Sequence, residues 1–68
     1  MKSISGKKFC KLVKDKGWIL KRINGSHYIY GKQGTDNLLV IPVHKNDDLK
    51  TGLLKSLMKL SGIEENEL

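Results

Sequence analysis

The sequence predicts an α+β fold in the order α-β-β-β-α, with a three-stranded antiparallel sheet carrying two helices on one face. Three observations predict it: helical apolar periodicity near both ends, three short β-rich runs between them, and turn residues at every junction. The 68 residues are read as a single domain spanning 1–68, because a chain of that size buries only about 60% of the surface its unfolded form exposes and cannot divide its core.

The first helix rests on Phe9, Leu12 and Val13 at i, i+3, i+4, with Lys7, Lys8, Lys11, Lys14 and Lys16 filling the remaining positions. Ser3 or Ser5 supplies an N-cap, Ile4 an apolar staple, and Gly17 the left-handed residue that stops the helix. Trp18 to Ile23 follows as the first strand, Asn24-Gly25 is a hairpin-turn pair, and Ser26 to Tyr30 resumes as the second strand. Gly31 to Asn37 is a polar loop, and Leu38-Leu39-Val40-Ile41 is the third strand, closed by Pro42 because proline cannot donate to a ladder. Asp47 or Asp48 is expected to cap the second helix, whose apolar stripe is Leu53, Leu54, Leu57, Met58 and Leu60; it ends at Ser61-Gly62, and Ile63 folds back on the stripe.

Charge is unevenly placed. The net charge is +6, yet residues 1 to 34 hold nine cations against the lone anion Asp15, while three glutamates crowd the last five residues. A short acidic tail thus leaves the basic half free to meet phosphate. A single cysteine, Cys10, excludes an internal disulfide and is expected in the core, which favours a reducing, cytoplasmic setting. The longest apolar run, Leu38 to Pro42, is far shorter than the ~20 residues needed to span a bilayer, so no membrane association is expected.

Gly25-Ser26-His27 is the segment that points to chemistry. An imidazole exchanges protons near neutral pH, and Lys21, Arg22 and Lys32 lie close in sequence. Gly25 and Ser26 let a substrate backbone come near, and the Ser26 hydroxyl can donate to a phosphate. His44, just past Pro42, is either a second acid-base group or a loop residue. Tyr28 and Tyr30 share one strand face, available for stacking on bases or for the core. One cysteine and two scattered histidines have no zinc spacing, and clustered carboxylates for metal-dependent cleavage are missing from the sequence, so no metal or cofactor is called for.

Gly17-Trp18, Arg22, Gly25-Ser26-His27, Pro42, His44, Leu49-Lys50-Thr51-Gly52-Leu53-Leu54 and Ser61-Gly62-Ile63 together resemble the HicA toxins of bacterial toxin-antitoxin pairs. The resemblance covers nearly the whole chain. It implies a fold like that of double-stranded-RNA-binding domains and a ribonuclease that cuts messenger RNA until its antitoxin HicB binds. Carried over, the family's catalytic histidine falls on His27, with Gly25 and Ser26 beside it. Two departures stand out: Tyr28 occupies a position where many members carry a second histidine, and Gly52-Leu53-Leu54 replaces Gly-Thr-Leu.

The resulting expectation is a metal-independent endoribonuclease toxin. His27 is the general acid or base, Lys21, Arg22, Gly25, Ser26, Lys32 and His44 hold RNA, and the partners are messenger RNA and a HicB-like antitoxin, the free toxin being a monomer. A non-catalytic module that grips double-stranded RNA by shape is the alternative. A protein-interaction domain whose lysines serve only solubility ranks third.

Overall fold

The structure, a computed structural model, describes residues 3–68. Its elements are α1 (Gly6–Asp15), β1 (Ile19–Asn24), β2 (His27–Gly31), β3 (Leu38–Pro42) and α2 (Thr51–Ser61), followed by a 3-10 turn over Glu65–Glu67. The strands form one sheet in the order β1-β2-β3, both pairings antiparallel. The α-β-β-β-α order and the antiparallel meander are those read from the sequence.

Local chemistry accounts for the ends of α1. The Ser5 hydroxyl accepts from the Lys8 N–H at 3.2 Å, one of the orphan donors of the first turn. Ile4 before the cap and Phe9 in the second turn are both buried in the core, as a hydrophobic staple requires. At the other end Gly17 takes φ 100°, the Trp18 N–H donates to the Val13 carbonyl and the Gly17 N–H to the Lys14 carbonyl. Those two bonds together make a Schellman ending, which needs a left-handed residue at the glycine position.

The core lies between the helices and one face of the sheet. Phe9, Cys10 and Val13 of α1, Leu54 and Leu57 of α2, and Tyr30, Leu39 and Ile41 of the sheet belong to one buried cluster, with Tyr28 packed at its margin. Both tyrosines therefore face the helices. Tyr30 is buried in the same cluster as Cys10, so it is packing, and base stacking by it is ruled out. Burial and the Cys10 contact push the Tyr30 phenol up to about 12, and burial pushes the Cys10 thiol up as well.

Three expectations need correcting. Neither Asp47 nor Asp48 caps α2: the helix starts later, at Thr51, with Lys50 in the cap position and no side-chain cap bond. The reason is tertiary. Residues 47 to 49 are held against the segment entering α1, where Asp48 bridges Ser5, the Asp47 carbonyl accepts from the Gly6 N–H, and the Leu49 N–H donates to the Ile4 carbonyl at 2.8 Å. Leu49 is buried there, so the chain is pinned in extended form until residue 50. Second, the apolar stripe of α2 is narrower than expected, because Leu53 and Leu60 are exposed and Leu54, Leu57 and Ser61 face the core. Third, the acidic end is no free tail: Glu64 and Glu67 form a capping box, Glu67 pairs with Lys16 at 2.6 Å, and Leu68 packs on the core. Gly62 closes α2 with φ 81°, and Ile63 is buried behind it as expected.

Candidate active site

The hairpin that carries His27 is built from its turn outward. Asn24 pairs with His27, which leaves Gly25-Ser26 as the two-residue loop, one position later than the Asn24-Gly25 pair read from the sequence. Gly25 takes φ 64° and Ser26 stays at negative φ, the requirement of a II′ turn with glycine at its first central position. The turn is tied to β3 as well, since the Ser26 carbonyl accepts from the Val43 N–H at 2.8 Å. Its backbone is thereby fixed on both sides.

Strand alternation then sets the direction of each side chain. Tyr28 and Tyr30 point to the helices, so His27, Ile29 and Gly31 belong to the opposite, open face of the sheet. His27 is exposed there, with Asn24 beside it on β1 and Pro42 on β3. Arg22 stands opposite Ile29 on the same face. That makes it the diagonal neighbour of His27, roughly 7–8 Å away by sheet geometry. Ile29 is the buried centre of this face, flanked by Arg22 and Val40.

Not all expected site residues gather at His27. Lys21 sits in the irregularity of pairing between Leu20 and Arg22, and its side chain lies over Gly31 at the far end of β2. Lys32 follows Gly31, and its ammonium stands 5.9 Å from the centre of the Trp18 ring. With a strand rise of about 3.3 Å per residue, Gly31 and Lys32 are roughly 13–17 Å along the chain from His27. His44 is exposed two residues past Pro42, its Nδ1 3.6 Å from the Asp47 carboxylate. The structure therefore groups His27, Gly25, Ser26 and Arg22, places His44 on the loop leaving the strand beside them, and sets Lys21 and Lys32 at the other end of the sheet.

Sequence reading overlooked Ile29, Asn24 and Pro42 as the frame of this site. Parity was the available signal, since Ile29 lies two residues from His27 and must share its face. Among the described residues, no three His, Cys, Asp or Glu side chains come together to hold a metal ion. No described helix is long and apolar enough to cross a membrane.

Comparison with known proteins agrees with the order of elements and motifs. No curated protein matches the chain. Residues 6–63, which take in all five principal elements, the Gly25-Ser26-His27 turn and the buried Ile63, match the family described as the HicA toxin of bacterial toxin-antitoxin systems. The chain belongs to the HicA toxin family, the toxin half of a toxin-antitoxin pair.

Proposed function

We propose that this toxin is a metal-independent endoribonuclease that cleaves messenger RNA in the cytoplasm, arrests translation, and is silenced when a HicB-like antitoxin covers the His27 face. The observation that carries the reading is the exposed His27 imidazole beside a tight glycine turn, with the Arg22 guanidinium diagonal to it on an open sheet face. Neither side chain is drawn into the core.

RNA brings its own nucleophile. In the proposed reaction His27 takes the proton of a 2′-hydroxyl, the 2′-oxygen attacks the adjacent phosphorus, and the bond to the 5′-oxygen breaks. The leaving oxygen takes a proton from water or from protonated His44, and the products are a 2′,3′-cyclic phosphate and a 5′-hydroxyl. Arg22 steadies charge on the phosphoryl oxygens, and the fixed, side-chain-poor turn at Gly25-Ser26 lets the RNA backbone approach. An open sheet excludes little water, so the rate gain rests on acid-base help of about 10²–10⁴-fold. Slow cleavage is enough for a toxin that acts on many messages.

The alternative, a binding module that grips double-stranded RNA without cutting it, differs at one residue. His27→Ala is expected to lower cleavage by about 10²-fold or more while leaving the fold intact, because the imidazole is exposed and contributes no core packing. Cleavage by the unaltered protein is expected to continue in EDTA and to leave cyclic phosphate ends. Undiminished cleavage by folded His27→Ala would remove the catalytic reading, and magnesium-dependent cleavage with 3′-hydroxyl ends would replace its chemistry.

A further inference from the structure

β1 is an edge strand that the helices leave bare. All six of its residues are exposed, although half of a sheet strand normally faces a core. Leu20 and Ile23 stand opposite Tyr30 and Tyr28, on the side of the sheet that carries the helices, yet they are 42% and 51% exposed. α1 and α2 both make their main contacts over β3, which leaves this side of β1 thinly covered.

A groove lies between β1 and the end of α1, lined by Lys14, Gly17, Trp18, Ile19, Leu20 and Tyr30. Aliphatic and aromatic side chains make up most of its lining, with the Lys14 ammonium as its charged group. The lining includes no carboxylate, whereas Asp15 and Glu67 line the depression on another flank of α1. Trp18 adds an unmet need: its indole N–H is buried and has no acceptor among the described residues.

We propose that this groove is the anchoring site for an acidic, partly apolar segment of the antitoxin, distinct from the His27 face; the proposal rests on the toxin-antitoxin reading for the identity of its occupant. Apolar side chains of such a segment would cover Leu20 and Ile23, and its carboxylates would meet Lys14. A second copy of the toxin fits poorly, because antiparallel pairing of β1 with itself would bring the Lys21-Arg22 pairs of two chains together. RNA also fits poorly: the exposed floor is aliphatic, while Trp18 and Tyr30, the rings that could stack on bases, are buried. An anchor here gives the antitoxin a hold outside the site it must block, so binding strength is set separately from occlusion.

The test uses the complete toxin and its purified cognate antitoxin, with the fluorescence of Trp18, the toxin's sole tryptophan, followed in titrations against an antitoxin lacking tryptophan. Leu20→Lys with Ile23→Glu is expected to weaken antitoxin binding at least tenfold. Lys14→Glu, on the exposed face of α1, is expected to weaken it at least threefold and serves if the double variant does not fold. Both variants, freed of antitoxin, are expected to cut RNA at the unaltered rate, and His27→Ala to bind antitoxin within threefold of the parent. Unchanged affinity in the folded groove variants overturns the proposal. So does loss of RNA binding with antitoxin affinity intact, which would assign the groove to RNA, or a concentration-dependent toxin dimer abolished by the same changes, which would assign it to a second copy. Undiminished cleavage by His27→Ala would overturn the catalytic reading and leave the groove result standing.

Discussion

Gly6 shows how much a single hydrogen atom can decide in so small a core. It opens α1 directly beneath the end of β3, and a β-carbon there would collide with the Pro42 carbonyl oxygen. The obstacle is backbone, which cannot swing aside as a long side chain would. Gly6→Ala is therefore expected to destabilise the protein by about 1–3 kcal/mol, even though alanine is the better helix former. Thermal melts of the purified variant check this, and an unchanged midpoint would show that α1 can shift away from Pro42 freely. The contact matters for the site because Pro42 is the cross-strand neighbour of His27. Cys10 and Tyr30 make the contrasting case, in which a thiol and a phenol are both buried in the core cluster and serve packing.

At the scale of elements, the hairpin β1-β2 divides the cations expected to hold RNA into two groups. Arg22 shares the open face with His27, one diagonal step away, while Lys21 reaches over Gly31 and Lys32 lies at Trp18. The consequence is an ordering. Arg22→Ala is expected to depress the cleavage rate more than tenfold and to flatten the salt dependence of RNA binding. Lys32→Ala, remote from the scissile position, is expected to alter only the salt slope, by up to about 0.7 if its phosphate lies on a single strand. Single-turnover cleavage and binding titrations over a range of salt separate the two effects. Equal loss of rate in both variants would mean that the reacting phosphate is not held between His27 and Arg22.

The whole molecule is closed by its acidic end. Glu67 reaches Lys16 at the foot of α1 while accepting from the Glu64 N–H at 2.7 Å, and Leu68 settles on the core beside them. The Glu64 N–H and the Lys16 ammonium hold the Glu67 carboxyl below its ordinary 4.5. A carboxyl whose folded value is depressed stabilises the fold above its unfolded value, and that contribution disappears as the pH falls below about 4.5 through the folded one. Since the ion pair is largely open to solvent, with the Lys16 side chain 41% and the Glu67 side chain 31% exposed, the effect is expected to be small and sensitive to salt. Melts of Glu67→Gln and the parent should differ at pH 7 and draw together as the pH is lowered below 4.5. A difference that does not shrink as the pH falls would point to the hydrogen bonds of the 3-10 turn instead of the charge.

What the sequence determined by itself is whatever depends on near neighbours along the chain. The Ser5 cap, the Ile4-Phe9 staple, the Gly17 and Gly62 stops, the order of the elements and the glycine turn before His27 all follow from interactions within a few residues. The Gly-Ser-His motif was legible for the same reason. Tertiary structure alone decided which way the alternating side chains of the sheet point, because parity relates Tyr28 to Tyr30 and His27 to Ile29 but does not say which pair the helices cover. It also decided the start of α2, where bonds from residues 47 to 49 to the entry of α1 override two good capping residues. The separation of Lys32 from His27 belongs here too, since a strand that runs straight carries charges close in sequence to opposite ends of a sheet. So does the bare groove along β1, which exists because both helices pack chiefly over β3 and leave the β1 end of the same sheet face uncovered: an outcome of long-range burial that no local pattern of apolar residues encodes.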